Sequence, residues 1–199
     1  MSSALLHPFA PPAKPEDQFI SIVSGEGARV VDSSGTSYID GLANLWLCQV
    51  GHGRSEMIDA VVEQMRRIEC YNTFDPMTSP IAVEAAEAIR SRSPHPDGRV
   101  FFGTSGSEAV DTALKLARLT MQRRGETERQ IIVTREGGYH GTNLGGTSVQ
   151  GIGPNRDGWG DLVPHVIEVP RGDIEAVASV FVEHGDRIAA VLSEPLQGA

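Results

Sequence analysis

The sequence predicts an α/β fold with a mostly parallel sheet, helices on both faces, and a small β-containing segment in front of it. The main indication is the alternation of short apolar runs with amphipathic helical segments between residues 99 and 192. The strand segments contain apolar runs rather than an alternation of polar and apolar residues, as in strands that are buried on both faces. Residues 29–40 instead place two β-prone runs around an Asp-Ser-Ser-Gly turn, which predicts a hairpin.

The predicted elements follow one another without an internal repeat. Ser55 begins a helix with apolar residues at helical spacing, so one face of this helix should be covered. Ser79-Pro80 begins another, because serine caps a helix and proline suits its first position. The later elements are a strand at 99–102, a helix at 105–123, strands at 130–134 and 164–169, a helix at 173–184 and a strand at 188–192. The glycine-rich segment 137–160 is predicted to be irregular.

The composition disfavours several classes of partner. A formal net charge of -9 and a pI near 5.1 oppose binding to nucleic acid or to an anionic membrane. The two cysteines, Cys48 and Cys70, are too few for a disulfide scaffold, which favours a reducing, cytoplasmic location. No two histidines have ligand spacing on a helix, so no metal is expected. The proline-rich first 18 residues lack the apolar core of a signal peptide.

A candidate phosphate site lies at Ser105-Gly106-Ser107, after a predicted strand and at the start of a predicted helix. Backbone N–H groups at a helix start lack partners within the helix, and the helix dipole is positive there. A phosphate group would therefore be bound at this position. Ser105 and Glu108 also have the spacing of a capping box, so the alternative is simply a well-capped helix.

Two further clusters also follow predicted strands. Tyr139-His140 offers an aromatic ring between glycines, and Glu194 offers a carboxylate. Because ligands of parallel α/β sheets bind beyond the carboxyl ends of the strands, we expect these clusters to share one site with the Ser105–Ser107 segment. The site would suit an anionic, aromatic, phosphorylated ligand. Taken singly, Tyr139 could be a surface aromatic, His140 a structural histidine and Glu194 a solvated strand end.

Taken in order, these strings resemble the class III, or ω-type, aminotransferases of the fold type I pyridoxal-phosphate enzymes. The resemblance runs from about Gly25 to Ala199. The matching strings are Tyr38-Ile-Asp-Gly-Leu, Leu45-Trp46, Val50-Gly-His-Gly-Arg, Ser105-Gly-Ser-Glu-Ala, Thr112-Ala-Leu-Lys-Leu-Ala-Arg, Gly138-Tyr-His-Gly and Glu194-Pro-Leu-Gln-Gly. The resemblance implies part of a fold type I large domain, with residues 1–54 as an N-terminal arm and β segment and 55–199 as an incomplete cofactor-binding domain.

The resemblance also implies a reaction and its residues. The reaction is transamination between an amine or amino acid and an oxo acid, with pyridoxal 5'-phosphate as cofactor and a homodimer as the full-length enzyme. The residues implied to bind the cofactor are Ser105, Gly106, Ser107, Tyr139, His140 and Glu194. In the family, the residue matching Glu194 can also pair with an arginine that receives substrate carboxylates. Trp46 and Phe74 match residues that line the substrate pocket.

Neither of the two lysines suits covalent attachment of that cofactor. Lys14 lies in the proline-rich arm, and Lys115 lies about two turns along the helix that begins at the phosphate site. In the family, the Schiff-base lysine and the aspartate at the ring nitrogen lie further along than the match of Glu194. We therefore expect a truncated chain that is inactive alone, with apolar surface and a sheet edge open to water.

Three alternatives remain open at the level of sequence. The chain could be half of a split enzyme whose second polypeptide supplies the lysine, or a non-catalytic remnant that binds phosphorylated ligands. It could also be an α/β nucleotide-binding protein. That reading is disfavoured, because the sequence has no Gly-x-x-x-x-Gly-Lys-Ser/Thr loop and no Gly-x-Gly-x-x-Gly that opens a helix after a strand.

Overall fold

A computed structural model describes residues 4–198 and divides the chain into two compact units. The first unit extends to Ala85 and the second begins at Ala86. The division into an N-terminal arm and β segment, residues 1–54, and an incomplete large domain, residues 55–199, stays a prediction.

The first unit contains a small antiparallel sheet. Its strands pair in the order β1 (Ile22–Glu26), β2 (Arg29–Asp32) and β3 (Ser37–Ile39). The predicted hairpin is confirmed as the pairing of β2 with β3. The Asp32 carboxylate closes its turn, accepting hydrogen bonds from the Ser34 hydroxyl at 2.7 Å and the Tyr38 hydroxyl at 2.8 Å. These two hydroxyls, Ser34 first, lower the pKa of Asp32 to about 2.

Three helices follow the hairpin. They are α1 (Ala43–Trp46), α2 (Ser55–Arg67) and α3 (Pro80–Arg90), and α3 contains the boundary between the units. The single turn α1 is left-handed, with φ between 47° and 72°. The expected cover over the apolar face of α2 is not found within residues 4–198, since Met57, Ile58 and Met65 are 51%, 55% and 57% exposed.

The second unit is built on a parallel sheet with the strand order β5–β4–β6. The strands are β4 (Ile131–Arg135), β5 (Val166–Val169) and β6 (Ile188–Val191). Helix α7 (Ile174–His184) packs against one face of the sheet, and helix α4 (Gly106–Arg123) packs against the other. Both faces of β4 are therefore buried, as its apolar run Ile131-Ile-Val predicts.

The predicted strand at residues 99–102 is wrong. These residues have no regular secondary structure, and Phe101 and Phe102 are 65% and 50% exposed. A strand forms only where its backbone finds a partner. Within the described part of the chain, the parallel sheet consists of β4, β5 and β6 alone, so this apolar run has no strand to pair with.

The segment 137–160 is more regular than its glycine content predicts. It contains two short helices, α5 (Leu144–Val149) and α6 (Gly153–Arg156). The Asp111 carboxylate on α4 accepts a 2.9 Å hydrogen bond from the Gly146 amide, and Val149 is 1% exposed. A contact from a distant helix thus orders a segment whose local sequence gives no helical signal.

Among residues 4–198, no helix has the length and apolar character required to cross a membrane. The same residues include no group of three or more histidine, cysteine, aspartate or glutamate side chains placed to hold a metal ion.

Candidate functional site

The start of α4 is the predicted phosphate site. Ser105 caps the helix, and its hydroxyl accepts a 3.1 Å hydrogen bond from the Glu108 amide. The Glu108 carboxylate turns back to accept two 2.7 Å hydrogen bonds, from the amide and the hydroxyl of Thr104. These bonds, the amide first, lower the pKa of Glu108. The bond from the Glu108 amide to the Ser105 hydroxyl is the first half of the predicted capping box. In the second half, the Glu108 carboxylate accepts from the Thr104 amide instead of the Ser105 amide.

The first turn of α4 has room for a ligand. The first amides of an α-helix have no acceptor within the helix. A Cβ placed on Gly106 would meet no atom within 4 Å, and both Ser105 and Gly106 are exposed. The open space therefore lies at the positive end of the helix dipole, where an anion is stabilised.

Ser107 connects this turn to the loop after β4. Its Oγ accepts a 3.0 Å hydrogen bond from the Thr142 amide and lies 3.4 Å from the Thr142 Oγ1. The backbone of Gly141 approaches so closely that a Cβ there would lie 2.7 Å from the Ser107 Oγ and 2.8 Å from its Cα. Gly141 also has a φ of 101°, so both the contact and the backbone conformation require glycine.

Glu194 ties the end of β6 to the same loop. Its Oε1 accepts a 2.7 Å hydrogen bond from the Tyr139 amide, and its Oε2 accepts one from the Gly198 amide at 3.4 Å. Arg135, the last residue of β4, donates to the backbone carbonyl of Glu194. The start of α4 and the residue Glu194 after β6 are thus both linked to the loop after β4, at the carboxyl ends of these two strands.

His140 is buried within this edge and is 6% exposed. Burial lowers the pKa of His140; the negative charge of Glu194 opposes this effect and the positive charge of Arg135 adds to it. The Nε2 atom of His140 is buried without a hydrogen-bond partner among the described residues. Such an atom is normally satisfied in a folded protein, and the Nε of Arg135 is a second exception among the described residues.

The other predicted residues lie in different parts of the chain. Trp46 and Phe74 belong to the first unit, and their side chains are 57% and 82% exposed. The Lys14 Nζ lies 4.2 Å from the centre of the Phe19 ring, also in the first unit. Lys115 follows Ser107 by eight residues of α4, about 12 Å along the helix axis.

Sequence reasoning missed two residues of this site. Thr142 binds Ser107 through a backbone amide, which leaves no mark in the sequence. Arg135 contacts the Glu194 backbone, and its charge influences His140. Its position could have been noticed, because it is the polar residue at the carboxyl end of β4.

Known proteins resemble this chain in sequence and in fold. Residues 12–199 match the family model of the class III aminotransferases. Over 196 residues, the chain is 32% identical to a putrescine–pyruvate aminotransferase of Pseudomonas aeruginosa, covering 89% of this chain and 43% of that protein. The fold matches a transaminase from the marine bacterium Virgibacillus with a TM-score of 0.92 and 30% identity, covering 98% of this chain and 46% of that one.

A further match is an amine transaminase from an uncultivated Pseudomonas species, solved with pyridoxal phosphate bound. Its TM-score is 0.90 at 29% identity, and the match covers 100% of this chain and 49% of that one. The chain thus spans less than half the length of these relatives. The structural matches confirm the predicted fold type I architecture, and the chain belongs to the class III aminotransferase family.

Proposed function

We propose that this chain forms part of a pyridoxal 5'-phosphate-dependent aminotransferase, which transfers an amino group from an amine or amino acid to an oxo acid. The observation that carries the proposal is the hydrogen bond between Ser107 and the Thr142 amide. It holds the anion-binding start of α4 against the loop that bears Tyr139 and His140. The family supplies the reaction class, and this contact explains how one ligand could reach both places.

The residues at the sheet edge fit the phosphate and the ring of this cofactor. The amides and hydroxyls of Ser105–Ser107 suit a phosphate dianion, since they lie at a helix start with open space at Gly106. Tyr139 supplies an aromatic ring for stacking. His140 remains neutral near pH 7, because burial lowers its pKa, and it is buried within the same edge of the sheet.

When bound, pyridoxal phosphate supplies an electron-withdrawing ring that allows an amino group to leave a substrate carbon. The role of the chain is to bind and orient. We infer that Ser105, Gly106 and Ser107 hold the phosphate and that Tyr139 covers the ring. Glu194 then acts mainly by positioning, because its Oε1 is engaged by the Tyr139 amide and so fixes the loop. Holding the reactants in a fixed geometry lowers the entropic cost of reaction.

The remaining parts of the enzyme are also proposals. We infer that Trp46 and Phe74 line the pocket for the amine donor and that the whole enzyme works as a homodimer in the cytoplasm. We infer that neither lysine of this chain attaches the cofactor, since the Lys14 Nζ lies over the Phe19 ring and Lys115 lies along α4. The chain alone should therefore bind the cofactor reversibly and transfer no amino groups.

Equilibrium dialysis of the chain with pyridoxal phosphate tests this proposal. Ser107→Ala should weaken binding about tenfold, the effect of losing one hydrogen bond near a charged group. The matched control is Ser179→Ala, on the exposed side of α7, which should leave binding unchanged. Pyridoxal without phosphate should bind more weakly than its phosphate ester.

Two results would contradict the proposal. One is equal affinity for pyridoxal and for pyridoxal phosphate, which would mean that the chain has no phosphate site. The other is an equal effect of the Ser107 and Ser179 variants. Transfer of an amino group to pyruvate by the chain alone would contradict the separate inference that the attaching lysine lies elsewhere.

A further inference from the structure

We propose that Cys48 is an activated thiol and a modification site for soft carbon electrophiles, with His52 as its base and Asp40 as the positioning residue of that base. All three lie in the first unit, and none is assigned to the cofactor. The proposal rests on the combined geometry of the three side chains.

The side chains form a continuous series of contacts. The Cys48 Sγ lies 3.6 Å from the His52 Nδ1, and the His52 Nε2 lies 2.8 Å from the Asp40 Oδ2. A carboxylate only accepts hydrogen bonds, so the hydrogen of neutral His52 resides on Nε2. The lone pair of Nδ1 then faces the thiol. Cysteine and serine nucleophiles are activated in catalysis by the same arrangement, in which a base contacts the nucleophile and a third group orients the base.

Asp40 is suited to this orienting role. The hydrogen bond from His52 is the largest cause that lowers the pKa of Asp40, and the Asn44 amide donates a further bond at 2.8 Å. Asp40 is therefore ionised near neutral pH. Its negative charge stabilises the imidazolium that forms when His52 takes a proton from the thiol.

The position of the His52 ring is fixed by the β segment. The His52 backbone pairs with Gly27 in both directions, at 3.0 and 2.8 Å. A Cβ on Gly25 would lie 2.9 Å from the His52 Cγ, so the imidazole lies directly against a bare Cα. The side chain is 23% exposed. The alignment of Nδ1 with the thiol is therefore built into the fold rather than being a chance contact of two mobile surface groups.

Reaction with iodoacetamide illustrates the chemistry. The Cys48 sulfur attacks the iodine-bearing carbon, an S–C bond forms, the C–I bond breaks and iodide leaves. The thiol proton passes to the His52 Nδ1. Cys70 provides an internal reference, because it is the more exposed cysteine and makes no hydrogen bond to a histidine within residues 4–198.

The test compares the two cysteines in the same molecules. The intact chain is treated with limiting iodoacetamide at neutral pH, and modification is followed by mass spectrometry of the tryptic peptides 30–54 and 68–90, which separate the two thiols. Cys48 should react at least about tenfold faster than Cys70 despite its lower exposure. In concentrated guanidinium chloride the two rates should become equal.

Variants separate the base from its positioning residue. His52→Asn should slow Cys48 about tenfold or more and leave Cys70 unchanged. Asp40→Asn should move the pH profile of Cys48 alkylation toward that of Cys70, because an amide can donate to Nε2 and so place the hydrogen on Nδ1. An unchanged profile overturns the role of Asp40. Native Cys48 that reacts no faster than Cys70 overturns the whole proposal, and that comparison needs no variant.

Discussion

Replacement of Gly141 by alanine should damage both stability and the candidate cofactor site. The new Cβ would lie 2.7 Å from the Ser107 Oγ, 2.8 Å from its Cα and 3.0 Å from its Cβ. Two of these three atoms are part of a helix start that cannot rotate away, so either α4 or the loop must shift. A shift of either element would break the hydrogen bond between Ser107 and the Thr142 amide.

The destabilisation has two parts that a matched variant separates. Alanine at a φ of 101° costs about 1–3 kcal/mol of backbone strain. Forcing the Cβ into a filled space costs about another 1–3 kcal/mol. Gly172 has a φ of 76°, and a Cβ there would meet no atom within 4 Å. Gly172→Ala should therefore carry the strain without the steric clash, and the two variants should differ by about 1–3 kcal/mol.

Urea unfolding followed by far-ultraviolet circular dichroism measures the free energy of unfolding of both variants, and dialysis measures their affinity for pyridoxal phosphate. Gly141→Ala should lose more stability than Gly172→Ala and should bind the cofactor at least about tenfold more weakly. If the two variants lose equal stability, or if Gly141→Ala binds as the unmodified chain does, the close approach of Gly141 to Ser107 is not what shapes the site.

Three further predictions concern single side chains. Ser105→Ala should lower the free energy of unfolding by about 1 kcal/mol, because the Glu108 amide loses its cap; faster hydrogen exchange at the start of α4 would show this, and unchanged exchange would contradict it. His140 should titrate below 6.5 by NMR. Because its folded-state pKa is depressed, the unfolded chain binds the proton first, so stability should fall as the pH drops below 6.5; a pKa at or above 6.5 would refute this. Asp32 should titrate near 2, and a value near 3.8 would show that its hydroxyl donors are absent in solution.

Much of the candidate site could be predicted from order along the chain. Polar clusters after β4 and β6 were expected to meet the start of α4, because parallel strands bring their carboxyl ends to one edge of a sheet. The structure places Glu194 on the Tyr139 amide, which agrees with this reasoning. The functional roles of these residues stay predictions that the binding experiments test.

The errors have a common physical cause. Residues 99–102 were expected to form a strand because three of the four are apolar, but a strand also requires a neighbouring backbone. Residues 144–149 form a helix because Asp111 on α4 binds the Gly146 amide, a contact between residues 35 positions apart. Hydrophobic periodicity contains information about neither kind of partner.

The sequence by itself determined the α/β class, the hairpin, the capped start of α4 and the family, because these depend on local patterns and on the order of motifs. Only the tertiary structure decided that Ser107 meets Thr142, that Gly141 has no room for a side chain and that His52 contacts both Cys48 and Asp40. These features depend on distances between groups that do not follow one another in the sequence, up to 35 positions apart. Such distances are set by the packing of whole elements, which no local pattern specifies.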